Sequence, residues 1–116
     1  MEWEKMSQEA AERLEKLVAP FECRKKRMFG HESYFVGDHM FAGVYGDRIF
    51  IRLSKKDVAE FLEIEGAKNF EPVAGRPMRE YVVVPEAILE DPGAIDGWLK
   101  RSYGYVAGLP PKKTKK

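Results

Sequence analysis

The sequence contains very little cysteine and no long apolar run. Cys23 is the only cysteine, so an intrachain disulfide and a zinc site built on cysteines are both excluded. Nowhere do about 18 apolar residues follow one another, and residues 1–15 are rich in glutamate and lysine, unlike a signal peptide. We therefore expect a cytoplasmic protein without a membrane span.

The sequence also lacks a dominant charge of one sign. Its 20 lysine and arginine residues face 19 aspartate and glutamate residues, giving a formal net charge of +1. Proteins that coat nucleic acid carry a strongly positive field, so any basic surface here must be local. A chain of 116 residues, 44% of them hydrophobic, can form one packed core. We expect a single domain over residues 4–109 and a disordered lysine-rich tail over residues 110–116.

Three segments have the apolar spacing and the boundary residues of helices. Ser7, Ser54 and Asp91 are predicted N-caps, because each can accept a hydrogen bond from a first-turn amide, and Pro92 fits the first turn of the last helix. Proline or glycine ends each segment. The predicted helices lie within these limits: Ser7 to Pro20, Ser54 to Gly66 and Asp91 to Gly108.

Short segments rich in aromatic and β-branched residues lie between the first two helices and predict strands. Glycine at Gly37-Asp38 and Gly46-Asp47 suits tight hairpin turns. Irregular residues 67–79, with two prolines, predict a loop before a last strand. The fold class is therefore α+β, an antiparallel hairpin meander of about five strands with helices packed on one face. The predicted strands are Lys26 to Phe29, Tyr34 to Val36, Met40 to Tyr45, Arg48 to Leu53 and Tyr81 to Val84.

Few residues suggest catalysis or metal binding. No glycine-rich phosphate-binding motif is present. His31 and His39, with carboxylates nearby, are the only arrangement that resembles a metal site, and histidines in polar turns are more often solvated. Cys23 beside Arg24 and Lys25 could be a nucleophile, although a lone cysteine without a histidine partner is usually an apolar filler. We predict no catalytic residue, no metal and no cofactor.

The densest charge cluster of the predicted domain is Arg24, Lys25, Lys26 and Arg27. With the lysine tail it could contact several phosphates of a nucleic acid. The run enters a strand, so alternate side chains should point to opposite faces, and positive charge on a sheet edge also prevents aggregation. Both interpretations, nucleic-acid binding and edge protection, remain open at this stage.

Several segments, in order, resemble the N-terminal domain of the TfoX/Sxy competence regulators. The resemblance is to the stand-alone form of this domain, without the second helical domain of the longer regulators. His31 departs from the family pattern, which usually has a second glycine there. The matching segments are Lys26 to Gly30, Tyr34 to Val36, Met40 to Val44, Asp47 to Arg52, Gly75 to Met78, Tyr81 to Pro85, a helix with Trp98, and Gly108 to Lys112.

The resemblance implies a role in controlling transcription for DNA uptake through partner proteins, and no catalytic residues. We therefore predict a non-enzymatic interaction or regulatory module that binds a protein partner or forms a homodimer. Two alternatives are a nucleic-acid-associated regulator using Arg24 to Arg27, and a small-molecule or metal-binding enzyme. Residues 75–78 form either an exposed contact loop or a fixed connection in which the methionine fills the core. The predicted protein contacts are Met28, Phe29, Arg76 and Met78.

Overall fold

The structure is a computed structural model that describes residues 7–28, 31–73 and 75–110. These residues form helices and one antiparallel sheet. No helix among them combines the length and apolar character needed to cross a bilayer. The elements are α1 Gln8–Val18, β1 Arg24–Met28, β2 His31–Val36, β3 His39–Tyr45, β4 Arg48–Arg52, α2 Lys55–Phe61, β5 Lys68–Val73, β6 Arg76–Val83, α3 Glu86–Leu89 and α4 Pro92–Ala107.

The predicted N-caps are confirmed. The hydroxyl of Ser7 accepts a hydrogen bond from the Ala10 amide at 3.1 Å, and that of Ser54 accepts one from the Asp57 amide at 3.2 Å. The Asp91 carboxylate caps α4 in the same way. Each cap stabilises its helix by about 1 kcal/mol because it satisfies an amide that has no partner in the first turn.

The sheet follows chain order except at its end, with strand order β1-β2-β3-β4-β6-β5 and all neighbours antiparallel. Gly37 and Gly46 occupy the hairpin turns with φ of 61°, a conformation that glycine adopts without steric cost. The predicted meander of the first four strands and its two glycine turns are therefore confirmed.

The loop predicted over residues 67–79 is wrong, because β5 and β6 form a hairpin there. Among the described residues the sheet therefore has six strands rather than about five. Prolines are tolerated because Pro72 lies in the edge strand β5, and Pro77 lies in the part of β6 beyond the residues that pair with β4. The pairing is also irregular on both sides of Phe70, which removes the periodicity that reveals a strand. The short helix α3 was not predicted either.

The main core lies between the sheet and helices α1, α2 and α4. We call this side of the sheet the covered face. The predicted aliphatic row of β4 is confirmed, since Ile49, Ile51 and Leu53 are at most 2% exposed. Leu14 of α1 and Phe61 of α2, each 0% exposed, pack into the same cluster.

A β-bulge at Phe41 places two consecutive side chains on the covered face. Tyr34 pairs with Ala42 and Phe35 with Met40, so one step along β2 spans two steps along β3. Phe41 and Ala42 both belong to the main core and are 0% exposed. The Ser102 hydroxyl of α4 donates a hydrogen bond to the Phe41 carbonyl at 3.1 Å, which fastens the helix to the bulge.

A second, smaller cluster lies on the opposite side of the sheet, which we call the open face because only strand residues form the cluster. Phe50 and Phe70 stack with ring centroids 4.2 Å apart and are 4% and 6% exposed. Gly43 makes room for this stack, since a Cβ there would lie 2.5 Å from the Phe50 ring. The cluster consists of Phe50, Phe70 and Val83, with partly buried Met40, Tyr45, Met78 and Tyr81 around them.

Candidate interaction surface

Strand β1 forms one edge of the sheet and carries the predicted basic run. In the described ranges it pairs only with β2, in an unbroken register from Arg24 opposite Phe35 to Met28 opposite His31. Its outer edge therefore presents backbone groups that a further strand could bind. The other edge, β5, is less suitable because its own pairing is irregular and it contains Pro72.

Two of the four basic side chains lie on the covered face and form ion pairs there. Arg27 contacts the Glu32 carboxylate at 3.0 Å, and Lys25 lies 3.4 Å from Glu15 of α1 and 3.8 Å from Glu32. Glu32 is 9% exposed, so this part of the strand is electrically compensated. Lys25 thus contacts both α1 and β2, and Arg27 contacts β2.

The other two basic side chains lie on the open face. The Arg24 guanidinium donates to the Gly37 carbonyl at 3.0 Å, and the Lys26 ammonium lies 5.5 Å from the centre of the Phe35 ring. The ion pairs found among the described residues include neither of them. The run predicted as one basic patch is therefore divided between two faces, as the strand alternation indicated.

The predicted protein contacts are spread over both ends of the sheet. Met28 ends β1 and Arg76 begins β6, while Phe29 and the tail over residues 111–116 lie outside the described residues. Met78 is partly buried and packs against the open-face cluster. Met28 thus lies on the same strand as the basic run, whereas Met78 lies on β6.

The two histidines lie on opposite faces. His31 stacks on Tyr45 of the open face, with ring centroids 4.8 Å apart. His39 pairs with Val36, which packs on the covered face, and its Nε2 lies 2.7 Å from the Pro110 carbonyl. No three His, Cys, Asp or Glu side chains of the described ranges come together as a metal site would require. The histidine pair considered from the sequence is thus not assembled.

Cys23 lies in the segment between α1 and β1. Its thiol donates to the Phe21 carbonyl at 3.5 Å, and the side chain packs against the main core. Burial raises the pKa of the thiol. A nucleophilic cysteine needs the opposite shift, because the thiolate is the reactive form.

One polar cluster was missed in the sequence. Arg52 forms an ion pair with Glu80 at 2.7 Å and lies over the Tyr81 ring, and the Tyr105 hydroxyl donates to Glu80 at 2.9 Å. Burial raises the pKa of Tyr81, and its hydroxyl donates to the Met40 carbonyl at 3.3 Å. This cluster ties α4 to the margin of the sheet, and no local motif could reveal it because its members lie far apart in sequence.

A small cleft lies beside the first helix. It has a volume of about 240 Å³ and is lined by α1, the β3–β4 turn and α3. Arg13 and Glu86 inside it form an ion pair at 3.0 Å and neutralise each other. The cleft therefore offers no uncompensated charge from this pair to a small ligand.

Comparison with known proteins identifies the domain. The family model of the TfoX N-terminal domain matches residues 12–105, from within α1 to within α4, and so includes the whole sheet. A comparison with curated proteins found no match. Because the family model covers most of the 116 residues, the resemblance drawn from the short segments is confirmed. The chain belongs to the TfoX N-terminal domain family.

Proposed function

We propose that this chain is a non-enzymatic regulatory module of the cytoplasm that binds an acidic, extended segment of a protein partner along the edge of β1. Membership of the TfoX N-terminal domain family supports a regulatory, competence-related domain. The observation that carries the proposal is an edge strand with an unbroken register and four basic residues out of five. Strand addition at such an edge supplies backbone hydrogen bonds, and the flanking side chains select the partner.

Charge favours an acidic partner over a second copy of the chain. In an antiparallel pair of two β1 strands, Lys26 would face Lys26 and Lys25 would face Arg27 when the register is centred. Like charges directly opposite each other destabilise a strand pair, whereas opposite charges contribute about 0.2–1 kcal/mol per pair. A partner strand with alternating carboxylates would instead meet Arg24 and Lys26, which have no ion pair in the described part of the chain.

The test uses a short synthetic peptide that alternates glutamate with valine. We expect its addition to slow amide hydrogen exchange in β1 and to leave β5 unchanged. A peptide with lysine in place of glutamate should not bind, and a backbone N-methylated glutamate peptide should bind less because it cannot extend the sheet. Arg24→Gln with Lys26→Gln should weaken binding at least about twofold. Lys55→Gln with Lys56→Gln on α2 removes the same charge and should change nothing.

Two results would contradict the proposal. Unchanged exchange throughout β1 at saturating peptide would remove the edge as a binding site. A dimer in light scattering, with β1 amides already protected before peptide is added, would show that a second copy occupies the edge.

A further inference from the structure

The open face of the sheet carries positive charge that the nearly neutral composition does not reveal. Side chains alternate between faces along a strand, and directly paired residues share a face. Gly43 and Phe50 pair on the open face, where the Phe50 ring lies over the glycine. Ser33 pairs with Gly43 and Lys26 pairs with Ser33, so Lys26 lies on the same face.

Four cations that form no ion pair among the described residues share this face. Arg24 lies on this face because it pairs with Phe35, which itself pairs with the open-face residue Met40. Arg48 lies two residues before Phe50 on β4, and Lys68 pairs with Val83 of the open-face cluster. All of the four, Arg24, Lys26, Arg48 and Lys68, are exposed, and the ion pairs of the described residues involve none of them.

None of the three acidic residues in the described strands compensates these four cations. Glu32 follows the open-face residue His31, so alternation directs it to the covered face, where it pairs with Lys25 and Arg27. Glu80 pairs with Arg52, and Glu71 accepts a hydrogen bond from the Gly75 amide. Although the whole chain has a formal net charge of only +1, this face is locally positive.

Aromatic rings lie among the cations. Tyr45 and Phe35 are partly exposed, Tyr45 stacks with His31, and Lys26 lies over Phe35. Tyr45 also contacts Phe70 edge to face, with centroids 5.5 Å apart, so the buried Phe stack holds it in place. Flat rings held on a sheet between exposed cations match the two parts of an unpaired nucleotide, its base and its phosphate.

We propose that the open face binds single-stranded nucleic acid. Arg24, Lys26, Arg48 and Lys68 contact phosphates, and Tyr45 and Phe35 stack with bases. A duplex hides its base faces and could use only the cations, so single strands bind more tightly. Both proposals use Arg24 and Lys26, but only this surface uses Tyr45, Arg48 and Lys68, and only the partner segment uses the backbone edge of β1. The two proposals can therefore fail independently.

The test measures fluorescence anisotropy of labelled oligothymidylate and oligouridylate with the full chain over a series of salt concentrations. With about −0.7 per phosphate for single strands, four contacts predict a slope of log affinity against log salt of about −2.8. Arg48→Gln with Lys68→Gln should reduce the slope to about −1.4. The matched control, Lys55→Gln with Lys56→Gln on α2, should leave it unchanged. Tyr45→Leu should weaken binding about tenfold.

Further arms of the experiment separate the alternatives. A duplex of the same sequence should bind at least about tenfold more weakly than the single strand because it offers no base to Tyr45. Equal affinity for the duplex and no effect of Tyr45→Leu would reduce the surface to a site for phosphate alone and overturn the proposal. No binding at low salt, or binding unchanged in the Arg48→Gln and Lys68→Gln variant, would also overturn it. Because that variant keeps β1 intact, its response to the glutamate peptide tests the other proposal separately.

Discussion

The covered face and the open face of this sheet are built from the same strands and have opposite properties. On the covered face, Phe41, Ile51 and Val82 are 0% exposed and helices exclude water from them. On the open face, a stack of two phenylalanines is surrounded by partly buried side chains and exposed cations. The covered face contributes the larger apolar burial, and hydrophobic stabilisation grows with the apolar area removed from water.

The two faces also differ in how their charged side chains are paired, and this difference indicates which side chains are available for binding. Cations on the covered side, such as Lys25 and Arg27, are compensated by carboxylates. Arg48 and Lys68 on the open side form no ion pair within the described ranges. Exposed charges of this kind contribute little to stability, so their removal leaves a folded protein in which binding can be measured.

The largest expected effect is the loss of a core ring on the covered face. Phe41→Ala should lower the free energy of unfolding by about 4 kcal/mol, because it removes a fully buried ring and leaves a cavity. Phe35→Ala, on the open face directly beside the bulge, removes the same atoms from a partly exposed site and should cost about 1 kcal/mol. Urea unfolding measures both, and equal losses would contradict the contrast between the two faces.

A smaller effect is expected from overpacking the open face. Gly43→Ala should destabilise the protein by about 2 kcal/mol, because the new methyl group would lie 2.5 Å from the Phe50 ring. The change should be partly reversed in the double variant with Phe50→Leu. Gly97→Ala is the control, since its methyl group meets nothing within 4 Å on α4 and should stabilise the helix by up to about 1 kcal/mol. A neutral Gly43→Ala would show that the ring does not lie against the strand.

The smallest effect concerns a polar atom on the covered face. The Tyr34 hydroxyl is buried without a hydrogen-bond partner in the part of the chain that the structure describes. Tyr34→Phe should therefore raise the free energy of unfolding by about 1 kcal/mol at neutral pH. Tyr103→Phe is the matched control and should not stabilise, because the Tyr103 hydroxyl donates to the Glu22 carbonyl at 3.2 Å.

The pH dependence of the same variant gives a second readout. Burial, with a further contribution from nearby Glu32, raises the pKa of Tyr34 from 10.0 to about 12. Between these values the unfolded chain has released the proton while the folded chain still holds it, so stability falls as pH rises. The advantage of Tyr34→Phe over the wild type should therefore grow across this interval. A constant difference would show that Tyr34 titrates alike in both states.

Local chemistry made much of the fold predictable. Ser7, Ser54 and Asp91 marked helix starts because capping depends on residues close in sequence. The glycine turns and the alternation of β4 are equally local. The hairpin of β5 and β6 was missed because prolines and irregular pairing disturb its pattern, and because contacts such as that of Phe70 with Phe50, 20 residues earlier, are not local.

The candidate surfaces were predictable only in part. The division of the Arg24 to Arg27 run between two faces follows from strand alternation alone. Its compensation by Glu15 could not be predicted, because that carboxylate lies on a helix whose position depends on the packed core. Lys68 joined the open face only through β5, so the missed hairpin also concealed this part of the surface.

The bulge at Phe41 adds one core side chain to β3 without changing the faces of its neighbours. If Phe41 were removed, Ala42 would follow Met40 in regular alternation, with Met40 still on the open face and His39 still on the covered face. The main core would lose a fully buried ring, and the Ser102 hydroxyl would lose the carbonyl that accepts its hydrogen bond. A deletion of Phe41 would therefore damage the covered face and the attachment of α4 while the open face kept all its residues, so a single codon serves one side of the sheet alone.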